Sequence, residues 1–387
     1  MLPEDLQIRQ KRVQNAMRQT GADGCLLMMD VNLYYMTGRV FNGYFYLPTE
    51  GEPSFFVKRP NDFTGDKVVW IRKPEQIADF FTSQGWPFPK KLLLETDEIT
   101  YNECVRLQTV FRSPETGNAT TLLRRARMIK TPWEIAQFRL SAKQHALTYS
   151  MIPSCFRAGM TDVEFQAEIE KQMRLNGSFG VFHAFGSNMN VFMGSILTGS
   201  NAEAPSPYDF ALGGGGQTPI CPFGANGTVP EDGMAIMVDM VGNYTAYLTD
   251  MTRVFAVGKL PEPACRAHRV SIDIQDKIMQ TARPGMPCAD LYHMAVAEVE
   301  KAGLADCFMG TRQQAKFVGH GIGLEINEPP VLTPRSEEEL QPGMMLALEP
   351  KFVIPGVGAV GIENSFLVTE TGLEKITLFE EEIISIY

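Results

Sequence analysis

The pattern of apolar and polar positions along the chain predicts helices and strands that fall into two parts of unequal length. Residues 4–20 carry apolar side chains at helical spacing and stop at Gly21, which predicts a first helix. Short apolar runs bounded by turn residues follow, such as residues 41–47, and these are typical of strands. The pattern predicts an N-terminal α/β domain over residues 1–122 and a second domain over residues 123–387.

The second domain is predicted to open with a long helix. Thr131 can cap its first turn, Pro132 suits the first helical position, and Glu134 completes a capping box. Thr161 and Glu164 repeat the capping pair and predict another helix.

A weak internal repeat relates two parts of the second domain. Arg157-Ala-Gly-Met recurs as Arg283-Pro-Gly-Met, an offset of 126 residues, and a helical pattern ended by glycine follows each copy. Two interpretations stay open. The helices resemble each other by chance, or a duplication has produced two α-β halves that face each other.

Four carboxylates interrupt apolar, strand-like runs of the second domain, namely Asp239, Asp250, Glu349 and Glu363. A buried ionised carboxylate is very costly unless it is paired or binds a cation. We expect no comparable number of buried basic partners nearby. A histidine that could join them, His320, lies in the run Gly-His-Gly-Ile-Gly-Leu. Together the five residues predict a metal site.

The spacing of the carboxylates predicts two hairpin-like pairs. A turn-like segment separates Asp239 from Asp250, so adjacent strands can present both on one face, and a turn-rich segment, residues 351–358, separates Glu349 from Glu363. Two carboxylate pairs and one imidazole suit two divalent ions. Oxygen ligands favour Mn²⁺, although Co²⁺ and Zn²⁺ also fit. Two such ions would activate a bridging water and polarise a substrate carbonyl, which predicts hydrolysis.

Composition narrows the classes of partner and compartment. The formal charge of -10 argues against nucleic acid and anionic membrane surfaces as partners. The seven cysteines are scattered without a C-x-x-C pair, as expected of reduced cytoplasmic thiols. With no apolar signal region and no run near the roughly 18 to 20 apolar residues that span a bilayer, a soluble cytoplasmic protein is expected.

The ligand motifs resemble those of the pita-bread metallopeptidase family, which includes aminopeptidase P, prolidase, methionyl aminopeptidase and the non-metal creatinase. The matching stretches are Val238-Asp239-x-x-Gly242 with Asp250-x-Thr252-Arg253, Gly319-His320-Gly321, Leu348-Glu349-Pro350 and Gly361-Ile362-Glu363. Asn32-Leu-Tyr-Tyr-Met-Thr-Gly38 resembles the N-terminal domain of creatinase, prolidase and aminopeptidase P. The resemblance implies an α/β and α+β fold with a creatinase-like first domain and a pita-bread second domain of pseudo-two-fold α-β halves.

The resemblance also implies roles for the five residues. It assigns Asp239, Asp250, His320, Glu349 and Glu363 as ligands of a dinuclear site, with Glu349 and His320 as catalytic residues and Glu349 as general base. It implies hydrolysis of Xaa-Pro bonds in small peptides, as in aminopeptidase P or prolidase, by a homodimer.

Three positions depart from the family pattern. Asn327 and Ser206 stand where the family has histidines, and Gly361 stands where prolidases and aminopeptidases P carry arginine. Asn327 can donate a hydrogen bond to an oxyanion but cannot carry a proton. We predict Asn327, Ser206 and His183 as substrate-binding residues, and two interpretations of His183 stay open, a replacement imidazole or an ordinary core or rim histidine. The departures leave open a lyase or C–N hydrolase acting on a small non-peptide acid, and a binding protein on an inactive fold.

Overall fold

The structure is a computed structural model that describes residues 3–65, 67–186 and 192–386 of the chain. Two units divide the chain between Arg127 and Met128. Within the described ranges, no helix is both long enough and apolar enough to cross a bilayer.

The first unit is built on one six-stranded sheet. Its elements are α1 (Pro3–Thr20), β1 (Gly24–Leu27), α2 (Asp30–Thr37), β2 (Asn42–Pro48), β3 (Ser54–Arg59), β4 (Val68–Trp70), α3 (Glu75–Ser83), β5 (Lys91–Leu94), α4 (Tyr101–Val110), β6 (Glu115–Asn118) and α5 (Thr120–Met128), which runs one residue past the division. The strand order is β4-β3-β2-β1-β5-β6, with β1 antiparallel to β2 and parallel to β5. The first predicted helix is confirmed as α1, and Gly21 follows it with a φ of 68°.

A buried carboxylate fixes the start of α2. Met29 precedes this helix and provides no side-chain cap of its own. Glu95 instead accepts hydrogen bonds from the amides of Met28 and Met29 and from the side chain of Asn32, at 2.7, 3.0 and 2.7 Å. Because Glu95 directly follows β5, these bonds tie the start of α2 to the carboxyl end of that strand.

The second unit alternates helix pairs with strands. Its elements are α6 (Pro132–Cys155), α7 (Asp162–Leu175), β7 (Gly194–Thr198), β8 (Ala235–Gly242), β9 (Thr249–Ala256), α8 (Glu262–Thr281), α9 (Cys288–Ala302), β10 (Gly319–Gly321), β11 (Glu328–Val331), β12 (Met345–Leu348), β13 (Lys351–Ile354), β14 (Gly358–Gly361), β15 (Asn364–Val368), β16 (Leu373–Lys375) and β17 (Ile384–Ser385). Both predicted capping boxes are confirmed, Thr131 with Glu134 at α6 and Thr161 with Glu164 at α7.

Each helix pair of the second unit packs with one sheet. α6 and α7 bury residues such as Ile152 and Phe165 against the four-stranded sheet β17-β9-β8-β7. α8 and α9 bury residues such as Ile278 and Leu291 beside the five-stranded sheet β11-β10-β12-β15-β16. The unit therefore has two α-β halves.

A separate hairpin of β13 and β14 lies in the chain between the two predicted glutamate ligands. Its register places Lys351 opposite Gly361. The sequence predicted a turn-rich connection over residues 351–358, but Phe352 and Val353 are fully buried and extended. The turn is confined to the tip of the hairpin because these apolar side chains hold the first strand in the core.

Candidate metal site

The two predicted aspartate ligands lie on neighbouring strands of one hairpin. β8 and β9 are antiparallel, with Asp239 opposite Thr252 and Val241 opposite Asp250. Because side chains alternate along a strand, Asp239 and Asp250 project from the same face as diagonal neighbours. The sequence predicted adjacent strands and a shared face, and the structure has both.

The two predicted glutamate ligands lie at strand ends. Glu349 directly follows β12, and Glu363 lies between β14 and β15. The amide of Glu363 donates to the carbonyl of Thr252 at 3.2 Å, which joins it to β9. The side chain of Gln275 on α8 donates to the carbonyls of the residues just before both glutamates, at 2.7 and 3.1 Å. One helix side chain therefore fixes the backbone beside both carboxylates.

His320 is the central residue of β10 and lies opposite Ala347 of β12. A β-carbon on Gly319 would lie 2.2 Å from the carbonyl oxygen of Ala347, so only glycine allows this approach of the strands. The His320 ring places Nδ1 3.0 Å from the carbonyl oxygen of Gly321 and Nε2 3.5 Å from Oε1 of Glu349. A proton on Nδ1 would satisfy that carbonyl and leave the Nε2 lone pair free to bind a metal.

Three of the predicted ligands converge closely enough to hold one ion. Ligand atoms of Asp250, His320 and Glu363 all lie within 4.8 Å of one another. Oδ1 of Asp250 and Oε1 of Glu363 are buried and accept no hydrogen bond from the described residues. Buried acceptors without donors are rare in folded proteins. Two such oxygens beside an imidazole nitrogen fit a divalent cation.

The electrostatics of these carboxylates also favour a cation. Burial, and then the charge of Asp239, raise the pKa of Asp250 well above its ordinary value. Burial, and then the charge of Asp250, do the same to the pKa of Glu363. In both residues the ionised form is destabilised even though the nearby Lys351 ammonium acts to lower the pKa, and a divalent ion would favour the ionised form.

One residue of the site was not predicted from the sequence. The ammonium of Lys351 lies 2.8 Å from Oδ2 of Asp239, 2.8 Å from Oε2 of Glu349 and 2.9 Å from Oε2 of Glu363. Its side chain is fully buried. Burial works to lower the pKa of Lys351, but the three carboxylates outweigh burial and raise the pKa well above its ordinary value. The group is an ammonium ion held by three carboxylates.

Lys351 qualifies the expectation that buried basic partners are scarce here, since one ammonium faces three of the four carboxylates. A signal for it exists in the sequence. Lys351 follows Glu349 by two positions and begins the apolar run Lys-Phe-Val-Ile. A strand over that run would bury the lysine on the side of the preceding glutamate.

The three predicted substrate-binding residues occupy two places. The side-chain amide of Asn327 bonds both backbone groups of Phe185, accepting from its amide at 2.7 Å and donating to its carbonyl at 2.8 Å. His183 is exposed on the same segment, and its carbonyl accepts from the amide of Ile326. Ser206 lines a cavity of about 160 Å³, and its hydroxyl accepts from the amide of Tyr208. The substrate role of all three stays a prediction.

Two family models match the chain. The model of metallopeptidase family M24 matches residues 136–370. The model of the creatinase/prolidase N-terminal domain matches residues 9–129. The two matches together cover most of both units, and the first includes all five predicted ligands.

Relatives match over nearly their whole length. The uncharacterized peptidase YqhT of Bacillus subtilis is 27% identical over 388 aligned positions, covering 97% of this chain and 99% of the relative. The Xaa-Pro dipeptidase of Pyrococcus furiosus is 23% identical over 382 positions, covering 97% and 99%. Similarity therefore extends across both units.

Solved structures share the fold. The Xaa-Pro dipeptidase from Bacillus anthracis has a TM-score of 0.81 at 24% identity, covering 98% of this chain and 99% of that one. The prolidase from Pyrococcus horikoshii has a TM-score of 0.79 at 22% identity, covering 97% and 100%. These similarities confirm the predicted fold class, a creatinase-like α/β domain followed by a pita-bread domain.

Proposed function

The chain belongs to metallopeptidase family M24, a family of metal-dependent hydrolases, and we propose that it hydrolyses Xaa-Pro bonds in small peptides, as an aminopeptidase P or a prolidase does. The observation that carries the proposal is the convergence of Asp250, His320 and Glu363, with two buried carboxylate oxygens that accept no hydrogen bond from the part of the chain that the structure describes. Similarity to the Xaa-Pro dipeptidases of Pyrococcus furiosus and Bacillus anthracis supports the Xaa-Pro preference.

In the proposed hydrolysis, some side chains of the site bind the metal ion and another acts as the general base. Asp250, His320 and Glu363 would hold a divalent ion, and that ion would supply Lewis acidity to lower the pKa of a water molecule and to polarise a carbonyl. Oε2 of Glu349 is held by Lys351, while its Oε1 faces the His320 ring. That free oxygen accepts the proton of the attacking water, as a general base must do from within hydrogen-bond reach.

Two hydrogen-bond donors orient the carboxylate of Glu363. The hydroxyl of Thr252 and the ammonium of Lys351 both donate to Oε2 of Glu363, each at 2.9 Å. They leave Oε1 for a metal ion. Donors of this kind fix ligand geometry and tune affinity.

Further features are part of the proposal. Mn²⁺ is the proposed ion because carboxylate oxygens dominate the ligands, with Co²⁺ and Zn²⁺ as alternatives. A homodimer is proposed from the family resemblance. A cytoplasmic location is proposed from the scattered, unpaired cysteines. The sequence-based prediction of a second ion stays a prediction.

The test is peptide hydrolysis by metal-reconstituted protein. The full chain is stripped with a chelator, reloaded with Mn²⁺, Co²⁺ or Zn²⁺, and assayed on matched panels of Xaa-Pro and Xaa-Ala dipeptides and tripeptides. We expect cleavage of the Xaa-Pro panel only. Relative rates on dipeptides and longer peptides then separate the prolidase type from the aminopeptidase P type.

A pair of carboxylate variants serves as the control. Asp250→Asn removes a predicted ligand and should abolish cleavage, whereas Asp273→Asn changes an exposed carboxylate on α8 and should leave the rate unchanged. Cleavage that survives Asp250→Asn, or no cleavage of either panel with any ion, contradicts the proposal. Turnover of small non-peptide acids without peptide cleavage would favour the lyase or C–N hydrolase alternative.

A further inference from the structure

A cation that belongs to the chain already occupies part of the carboxylate cluster. The three oxygens around the Lys351 ammonium come from three separate segments, Asp239 on β8, Glu349 after β12 and Glu363 before β15. Each lies within 2.9 Å of Nζ. Convergence of carboxylates from distant segments on one point is how proteins hold a metal ion. Here the point is held by an ammonium.

The remaining ligand atoms of the cluster define a second cation position, separate from that of the ammonium. Oδ1 of Asp250 and Oε1 of Glu363 are buried and have no described hydrogen-bond donor, and a ring nitrogen of His320 lies within 4.8 Å of a carboxylate oxygen of each of these residues. Glu363 therefore serves two positions: its Oε2 accepts from the ammonium and its Oε1 has no described donor, while one of its oxygens lies within 4.8 Å of a ligand atom of Asp250. The cluster has two cation positions, of which one is filled by a side chain.

Space disfavours a second ion beside the ammonium. Divalent ions bind carboxylate oxygens at about 2.0–2.2 Å, through the lone pairs that now accept hydrogen bonds from Lys351. Paired ions in hydrolases lie about 3.5–4 Å apart, so a second ion would fall on or next to Nζ. The fully buried ammonium has no solvent into which to retreat.

Electrostatic repulsion also disfavours a second metal ion. Four carboxylates and one ammonium carry three net negative charges, so one divalent ion leaves the cluster with one negative charge. A second divalent ion would make the buried cluster positive. The net charge has the same magnitude with one ion as with two, so the repulsion between a second divalent ion and the adjacent ammonium decides, and like charges this close repel strongly.

We propose that the Lys351 ammonium takes the place of one metal ion, so that the cluster binds a single divalent ion through Asp250, His320 and Glu363. The inference rests on the proposed function only in taking the cluster to bind a divalent ion. It specifies the composition of that site as one exchangeable metal ion and one fixed ammonium.

The hairpin of β13 and β14 explains how a lysine can occupy this cation position. The family resemblance places arginine at position 361, where this chain has Gly361, directly opposite Lys351. A β-carbon at Gly361 would lie 3.0 Å from the α-carbon of Lys351 and 2.7 Å from the carbonyl oxygen of Pro350. Glycine at 361 thus leaves room for the lysine strand. Where the resemblance places a cationic side chain at position 361, this chain has one on the opposite strand, and its ammonium contacts three of the carboxylates.

Metal stoichiometry tests the proposal without reference to activity. The stripped full-length protein is equilibrated with excess Mn²⁺, dialysed and analysed by elemental mass spectrometry and by electron paramagnetic resonance. We expect one ion per wild-type chain, with the spectrum of isolated Mn²⁺. Lys351→Ala should bind twice as many ions, with the broad spectrum of an exchange-coupled pair, and Lys351→Arg should return to one.

A matched control removes another lysine from the same unit. Lys375 forms a partly exposed pair with Glu381 at 2.6 Å, and Lys375→Met should still bind one ion. Two coupled ions in the wild type overturn the inference while leaving the proposed function intact. One ion in both wild type and Lys351→Ala shows that the lysine is not what excludes the second, and overturns it too. No ion in the wild type overturns the proposed function as well. Since the wild-type measurement needs no variant, misfolding of Lys351→Ala does not remove the test.

Discussion

Raising the pH from about 5 to about 8 should weaken the N-terminal unit, because Glu95 would then lose a proton inside the core. The side chain of Glu95 is fully buried. Burial raises the pKa of Glu95 to about 7 from an ordinary 4.5, although hydrogen bonds from Met28, Asn32 and Met29 act to lower it. The folded unit therefore binds this proton more tightly than the unfolded chain does.

The size of the effect follows from that difference. A pKa raised in the folded state stabilises it fully below the unfolded pKa, near 4.5, and the benefit is lost as the pH rises through about 7. The shift is about 2.5 pKa units at about 1.4 kcal/mol each, so the free energy of unfolding should fall by about 3 kcal/mol across this window.

The assay is urea unfolding of the full chain at a series of pH values, followed by tryptophan fluorescence. Trp133→Phe leaves Trp70 and Trp86 as the only tryptophans, both in the first unit. All five histidines lie at residue 145 or beyond, so none of them titrates within that unit. A slope between about pH 5 and pH 8 then reports on Glu95.

Glu95→Gln provides the decisive comparison because it keeps the shape and removes the titration. The variant should show no such slope in the Trp133→Phe background. If the slope persists in Glu95→Gln, or if the wild-type unit becomes more stable as the pH rises, the assigned protonation is wrong.

Three other outcomes are expected. Thr252→Val removes the hydroxyl that donates to Glu363 and should weaken Mn²⁺ binding about tenfold in calorimetry; equal affinity would show that the hydroxyl does not orient the carboxylate. Gly361→Ala should lower the free energy of unfolding in urea by about 2 kcal/mol, because its φ is 126° and a β-carbon would meet the carbonyl of Pro350; a neutral result contradicts this. Chelation should lower the melting temperature measured by calorimetry, since an ion at a hundred times its Kd adds about 3 kcal/mol of stability, and an unchanged temperature would argue against a bound ion.

Local signals predicted much of the fold. The stop at Gly21 and the capping boxes at Thr131 and Thr161 are confirmed because each depends on only a few neighbouring residues. The resemblance to the pita-bread family is confirmed by the match to family M24. The hairpin of β13 and β14 was interpreted as a connection because its glycines and proline suggested turns, whereas burial of Phe352 decides its structure.

The carboxylates of the site could be recognised because charge in an apolar run is conspicuous. Lys351 could not be placed in the same way, since its role depends on the register of a hairpin and on three carboxylates from distant segments. Asn327 illustrates the same limit. Its bonds to Phe185 depend on the meeting of segments far apart in the chain, which no local pattern records.

The covalently attached ammonium of Lys351 has a consequence for how the metal-free protein folds. A chelator, or a cell short of metal, can remove an ion but cannot remove a charge joined to the backbone. Asp239, Glu349 and Glu363 therefore keep a common counterion from the time the hairpin forms. Newly made chains should therefore fold with these three carboxylates already partly neutralised, and a metal ion then adds activity and further stability to a fold that forms without it.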